Sequence, residues 1–170
     1  MAPIPTAEYS GFAKFLHWTM ALAVIIALIL GVIIANLNWG PVKSLFAGMG
    51  NQLYDLHRSF GALLLALIVI RIAWRLISPP PPLPDTIKPW QKTASHLVHM
   101  GLYTCLAAMP LLGWVGTSLY GAKITVFGLF VLPAIVDKDR PASGLVLDFH
   151  GWIGFALIAL ITVHIGAALM

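Results

Sequence analysis

The sequence predicts an all-α integral membrane protein, a bundle of four transmembrane helices. Hydrophobic residues make up 59% of its 170 residues and charged residues only 9%, whereas soluble domains are about 25% charged. So few charges cannot cover a water-facing surface, so the solvent that suits this chain is a lipid bilayer. Four apolar stretches reach the length of about 20 residues that a spanning helix needs. They lie at roughly 14–35, 54–77, 95–118 and 148–170, and we expect residues 1–170 to form one transmembrane domain.

The segments between these stretches contain turn and breaker residues. NWGP (38–41) is expected to turn the chain after the first span. SPPPPLPD (78–85) cannot continue a helix, because proline lacks an N–H, and it predicts a stiff, extended connector. The apolar run 124–136 is too short to span and contains Pro133, so an interfacial or re-entrant piece is expected there. DKDRPASG (137–144) is expected to form the loop before the fourth span.

The charges orient the predicted bundle only weakly. The net charge is +4, and the basic residues cluster near span ends, which suits lipid anchoring and gives no reason to expect a nucleic acid partner. Side A, the side that holds both termini, carries Lys14, Arg71, Arg75, Lys88 and Lys92. Side B carries Lys43, Arg58, Lys123, Lys138 and Arg140. Four aspartates on side B favour both termini in the cytoplasm: Asp55, Asp137, Asp139 and Asp148.

Six histidines lie in or at the ends of the predicted spans: His17, His57, His96, His99, His150 and His164. An ionisable residue in a membrane span is costly and is a candidate for function, although one histidine alone could simply bond a neighbouring helix. Because the chain reverses direction with each span, His57 and His150 begin their spans on side B. His164 follows His150 by 14 residues, about 21 Å along one helix face. It therefore returns to side A, where His17 lies.

Depth thus pairs His57 with His150, and His17 with His164, each pair joining two helices. Two imidazoles facing each other in a bundle core are a suitable site for a planar metal cofactor. Such ligation leaves a haem iron six-coordinate, which favours electron transfer over oxygen activation. Two haem b groups would form a path across the membrane. Cys105 is the one cysteine, which excludes covalent haem attachment through two cysteines, a disulfide within the chain and a cysteine-bound iron–sulfur cluster.

Five further residues are candidates for contacts with ligands. His96 and His99 share a face of the third span and could contact a quinone or a haem propionate, or be structural. Arg58 could pair with a propionate or attract an anion on side B, or extend to lipid phosphates. Arg71 and Arg75 are expected mainly to anchor side A in the lipid head groups, with propionate pairing as the other possibility. No catalytic residue can be chosen from these patterns.

The motifs of the chain resemble those of the bacterial cytochrome b561 family, four-helix dihaem membrane cytochromes. The matching segments run almost from end to end: YSGFAKFLHW (9–18), LHRSFG (56–61), RIAWRLISPPP (71–81), HLVHMGLY (96–103), MPLLGW (109–114), FHGWIG (149–154) and VHIGAAL (163–169). The resemblance implies two haem b groups, held by His17 with His164 and by His57 with His150. It also implies a bacterial inner membrane location and a ubiquinone partner.

One branch of this family resembles a superoxide oxidase, which passes electrons from superoxide through the haems to ubiquinone. The resemblance therefore favours a superoxide:ubiquinone oxidoreductase, with Arg58 and the side-B lysines attracting the anion. Members usually continue beyond the fourth span with further histidines, one of them linked to quinone. The sequence stops at Met170, so we expect these residues to form only part of a quinone site.

Two other functions fit the same sequence. One is a cytochrome b subunit that carries electrons between quinone and a partner redox protein, similar to those of hydrogenases and formate dehydrogenases. The other is a membrane protein without redox activity, whose histidines are structural.

Overall fold

The computed structural model describes residues 8–82 and 86–169 and confirms the transmembrane helical bundle. Its helices are α1 (Gly11–Ala35), α2 (Gly40–Leu45), α3 (Gly50–Ile77), α4 (Pro89–Tyr120) and α5 (Arg140–Ala168). Two strands, β1 (Ile124–Val126) and β2 (Phe130–Leu132), lie between α4 and α5. Within the described ranges, four helices are long and apolar enough to cross a membrane, namely α1, α3, α4 and α5.

The fourth spanning helix begins earlier than predicted. Residues 140–144 were expected in a loop, but α5 starts at Arg140. The side chain of Asp139 accepts a hydrogen bond from the backbone N–H of Ala142 at 3.1 Å, and Pro141 lies in the first turn. A capping aspartate followed by a proline is a favourable helix start, and this local chemistry lengthens the helix beyond its apolar stretch. In the other connector, residues 79–82 have no regular structure, and residues 83–85 lie outside the described part.

The four spanning helices alternate in direction. On side A, the indole N–H of Trp74 in α3 donates to the hydroxyl of Ser10, the N-cap of α1, at 3.3 Å. On side B, the hydroxyl of Ser143 in α5 donates to the carbonyl of Gly116 in α4 at 2.9 Å. Buried apolar side chains fill the interior at mid-depth: Ala23, Val24, Ala27, Leu64 and Leu157.

The run 124–136, which was expected to be an interfacial or re-entrant piece, contains a β-hairpin. Ile124 pairs with Leu132 and Val126 with Phe130 in an antiparallel ladder. The turn places Phe127 at φ +48° and Gly128 at φ +74°, which suits glycine but is rare for phenylalanine. Contacts with α3 hold it: the N–H of Phe127 donates to the hydroxyl of Ser59 at 2.8 Å, and its ring packs on Phe60.

Replacing Ser59 with alanine is expected to destabilise the protein by about 0.5–1.5 kcal/mol, the net contribution of a typical hydrogen bond. Ser59 is 2% exposed, and its loss leaves the Phe127 N–H without its acceptor. Thermal unfolding of the detergent-purified protein measures the effect. Thr162→Ala is the matched control, because that exposed hydroxyl bonds only the Ile158 carbonyl in its own helix. Equal unfolding temperatures for the two variants would contradict this role of Ser59.

Candidate functional site

Each spanning helix carries two site residues, 14 positions apart. They are His17 and Gly31 on α1, His57 and Arg71 on α3, His99 and Gly113 on α4, and His150 and His164 on α5. Fourteen residues are nearly four helical turns, about 21 Å, so both members of each pair face the bundle interior at two depths. We call His17, Arg71, His99 and His164 the side-A layer, and Gly31, His57, Gly113 and His150 the side-B layer.

The side-B layer brings together the predicted pair His57 and His150, whose ring centroids are 5.9 Å apart. A metal–imidazole bond is about 2.0 Å long, and the ring centre lies about 1.1 Å beyond the bonding nitrogen for ring bonds of about 1.3–1.4 Å. Two axial imidazoles on one iron therefore place their centroids about 6 Å apart. The observed separation matches this requirement.

Backbone carbonyls set the orientation of both rings. The Nδ1 atom of His57 lies 3.0 Å from the carbonyl oxygen of Ala27, and Nδ1 of His150 lies 3.0 Å from that of Met109. A carbonyl oxygen only accepts hydrogen bonds, so each Nδ1 carries the proton and donates. The lone pair is then on Nε2, the nitrogen free to bind a metal, in the arrangement typical of metal-binding histidines.

Two glycines provide the space that these rings occupy. A Cβ atom on Gly31 would stand 3.3 Å from Cε1 of His57, and a Cβ atom on Gly113 would stand 3.3 Å from Cε1 of His150. Each glycine follows the accepting carbonyl by four residues, so it lies on the same helix face one turn later. The sequence prediction did not include these glycines. Their spacing of 14 residues from His17 and His99 was the available signal.

A cavity of about 540 Å³ lies beside the two rings, within the usual size of ligand sites. His57, His150 and both glycines contribute to its wall, which is otherwise mainly apolar. Ile124 and Leu132 of the hairpin line it on side B. The apolar wall, the ring separation and the free Nε2 atoms together fit a planar macrocycle with two axial histidines.

Arg58 lies at the rim of this cavity, with 21% of its side chain exposed. Its guanidinium is 3.5 Å from the carboxylate of Asp55 and 3.5 Å from the carbonyl of Lys123. It also stacks over the ring of Tyr54. These contacts hold a positive charge next to His57 at the cavity.

The side-A layer brings together three histidines. The ring centroids of His17 and His164 are 6.1 Å apart, as two axial ligands require, and those of His99 and His164 are 5.2 Å apart. Ser95 lies 3.3 Å from Nδ1 of His99. His96 is exposed, so of the two predicted contact histidines only His99 reaches the layer.

The predicted arginines of side A occupy different positions. Arg71 is half-buried: its Nε donates to the hydroxyl of Tyr103 at 3.1 Å, and a terminal nitrogen lies 3.4 Å from Nδ1 of His17. Arg75 is exposed and stacks over Tyr103. The guanidinium of Arg71 is therefore directed into the bundle, beside a candidate ligand, rather than towards the lipid head groups.

Comparison with known proteins identifies the family. The family profile described as prokaryotic cytochrome b561 matches residues 8–170. This chain belongs to the prokaryotic cytochrome b561 family. As a cytochrome b561 it is a multi-pass bacterial membrane protein that binds haem b and transfers electrons.

Three relatives match this cytochrome b561 over most of the length of both chains. Cytochrome b561 homolog 2 of Escherichia coli (strain K12) is 31% identical over 92% of the chain and 80% of the relative. Cytochrome b561 homolog 1 of the same organism is 30% identical over 95% of the chain and 88% of the relative. A probable superoxide oxidase CybB of Yersinia pestis is 24% identical over 96% and 88%.

Proposed function

We propose that this cytochrome b561 holds two haem b groups and carries electrons from superoxide on side B to ubiquinone on side A. His57 and His150 would bind one iron, and His17 and His164 the other. The observation that carries the proposal is the repeated geometry: two imidazole pairs with centroids 5.9 Å and 6.1 Å apart, one in each layer. One pair alone could be a structural contact, but two at opposite depths define a path across the bundle.

Haem b, when bound, supplies a one-electron couple at each depth. The two histidine pairs would hold these groups, and a haem with two histidine ligands would favour electron transfer over oxygen activation. Apolar side chains between the layers, such as Val24, Leu64 and Leu157, exclude water from the interior. The bundle thus holds the two redox positions apart in a dry, low-dielectric interior.

Side B carries five cations and four aspartates, and one of the cations lies at the cavity. Arg58 lies at the cavity rim beside His57, and four further cations occupy the same side: Lys43, Lys123, Lys138 and Arg140. A guanidinium at the rim attracts an anionic substrate, and Asp148 in the same wall opposes this attraction. The name of the Yersinia pestis relative, probable superoxide oxidase, supports superoxide as the anion.

Side A provides candidate contacts for the acceptor and for the haem carboxylates. Arg75, which is exposed beside Tyr103, is the candidate partner for a propionate, since guanidinium forks bind carboxylates well. His99 is a candidate contact for ubiquinone or a propionate. Two superoxide anions would each lose one electron and become dioxygen, while ubiquinone gains two electrons and two protons and becomes ubiquinol. We place side A, with both termini, in the cytoplasm.

Optical spectroscopy of the detergent-purified protein tests this proposal. A pyridine haemochrome assay is expected to give two b haems per chain, and an enzymatic superoxide source is expected to reduce them rapidly. Added superoxide dismutase should abolish that reduction, and a ubiquinone analogue should reoxidise the haems. Two haems that superoxide does not reduce would contradict the donor and favour a relay to a partner protein. A colourless protein would contradict the haem ligation altogether.

A further inference from the structure

Arg71 occupies the position in the side-A layer that His57 occupies in the side-B layer. Both residues lie on α3, 14 positions apart, so the same helix face presents a candidate ligand at one depth and a guanidinium at the other. A half-buried arginine in a spanning helix is costly and usually pairs with an anion. Among residues 8–82 and 86–169, the ion pairs are Lys14 with Glu8 and Arg58 with Asp55. Arg71 therefore has no carboxylate partner within that part of the chain.

The candidate ligands of the two layers face opposite kinds of group. Nδ1 of His57 and Nδ1 of His150 each lie 3.0 Å from a carbonyl oxygen, which carries partial negative charge. Nδ1 of His17 instead lies 3.4 Å from a nitrogen of the Arg71 guanidinium, a cation. If Nε2 of His17 binds iron, Nδ1 keeps its proton, so this contact is one of charge and not a hydrogen bond. A carbonyl acceptor makes an imidazole more electron-rich, whereas a nearby cation withdraws electron density.

The other charged groups near the two layers also leave side A more positive than side B. On side B, Arg58 is partly neutralised by Asp55, and Asp148 also lines the cavity. On side A, Arg71 and Arg75 both approach Tyr103, and Lys14 at the surface is paired with Glu8. Reduction of an iron adds negative charge, so a nearby cation favours the reduced form, most strongly where the dielectric is low.

We infer that Arg71 raises the reduction potential of the side-A haem above that of the side-B haem, so that electrons pass from side B to side A. The inference rests on the proposed dihaem function. It assigns Arg71 a tuning role, which differs from the lipid anchor that its sequence position first suggests. An arginine that only anchored side A in the lipid head groups would be screened by solvent and would leave the relative potentials of the two haems unchanged.

An equilibrium redox titration, monitored through the haem absorption bands, tests this inference in the purified protein. Arg71→Gln keeps a polar side chain but removes the charge, and it should lower the potential of one haem. We expect the equilibrium between the two haems to shift at least tenfold, about 59 mV for a one-electron couple. Arg71→Lys, which keeps the charge, should shift it by less than half as much. The spectrum of His57→Ala identifies which absorption band belongs to side A.

Lys14→Gln is the matched control, because it removes a side-A cation that is exposed and paired with Glu8. Solvent screens such a charge, so its removal should leave both potentials unchanged. If Arg71→Gln does not retain both haems, Tyr103→Phe provides a second test: it releases the guanidinium without removing its charge, and should lower the same potential by a smaller amount. Unchanged potentials in the variant that is measured would overturn the inference.

The same experiment separates failure of this inference from failure of the proposed function. A wild-type protein with one haem, or with none, contradicts the dihaem proposal before any arginine variant is compared. A wild-type protein with two haems, together with an Arg71→Gln variant of identical potentials, contradicts only the role of Arg71.

Discussion

Replacing either His57 or His150 with alanine is expected to remove the same haem and about half of the haem bound per chain. Their ring centroids lie 5.9 Å apart, the separation that one iron requires, so loss of either ring would leave only one of the two ligands. The remaining iron would be five-coordinate and weakly held. Mutating an outer-shell partner of a metal ligand typically lowers metal affinity about 10–100-fold. The loss of haem affinity on removal of a ligand should be larger.

Haem content, the low-spin optical spectrum and the rate of reduction by superoxide measure this effect. Both variants should retain the spectrum of the side-A haem while losing rapid reduction by superoxide, since electrons enter at side B. His96→Ala is the control, because His96 is an exposed histidine and its loss should change none of the three. If His57→Ala and His150→Ala removed different haems, the pairing would be wrong.

The same series distinguishes the ligands of side A. His164 has two neighbours, with ring centroids of His17 at 6.1 Å and of His99 at 5.2 Å. Only the longer separation matches two axial imidazoles on one iron, so His17→Ala should remove the side-A haem and His99→Ala should keep it. The reverse result would assign the iron to His99.

Replacing Gly31 or Gly113 with valine is expected to cause the second-largest loss of haem affinity, and this loss should be confined to the side-B haem. Even one added carbon would lie 3.3 Å from the ring of His57 or of His150. A branched side chain must therefore displace the ring and break its hydrogen bond to Ala27 or Met109. Outer-shell contacts of this kind are typically worth about 10–100-fold in metal affinity or activity, and we expect a loss of haem affinity in that range.

Haem dissociation rates and the low-spin electron paramagnetic resonance signal measure this loss. Gly144→Val and Gly166→Val are matched controls on α5, because an added carbon at either position meets nothing within 4 Å. They should keep both haems, and replacing a helical glycine should not destabilise the helix. An equal loss of haem in the controls would mean that the effect comes from the helix rather than from the ligand rings.

The amino-acid sequence by itself predicted the bundle and the pairing of the histidines by depth. A bilayer requires apolar stretches of about 20 residues, so the four spans are visible in the composition. Alternating direction and the spacing of 14 residues between His150 and His164 then assign each histidine to a side. The structure brings His57 to His150 and His17 to His164 because helix geometry converts residue number directly into depth.

Only the tertiary structure decided which helix faces meet. Glycine is common in membrane helices, so nothing local distinguishes Gly31 and Gly113 from the other glycines until the rings of His57 and His150 pack on them. The hairpin at 124–132 was not predicted, because a short apolar run can be either strand or helix. The residue that holds it, Ser59, is also far from it in sequence. Arg71 was expected mainly at the lipid head groups, but rotation of α3 directs it to His17. Depth depends on the number of residues along a helix, whereas the rotation of each helix depends on contacts between side chains that are far apart in sequence.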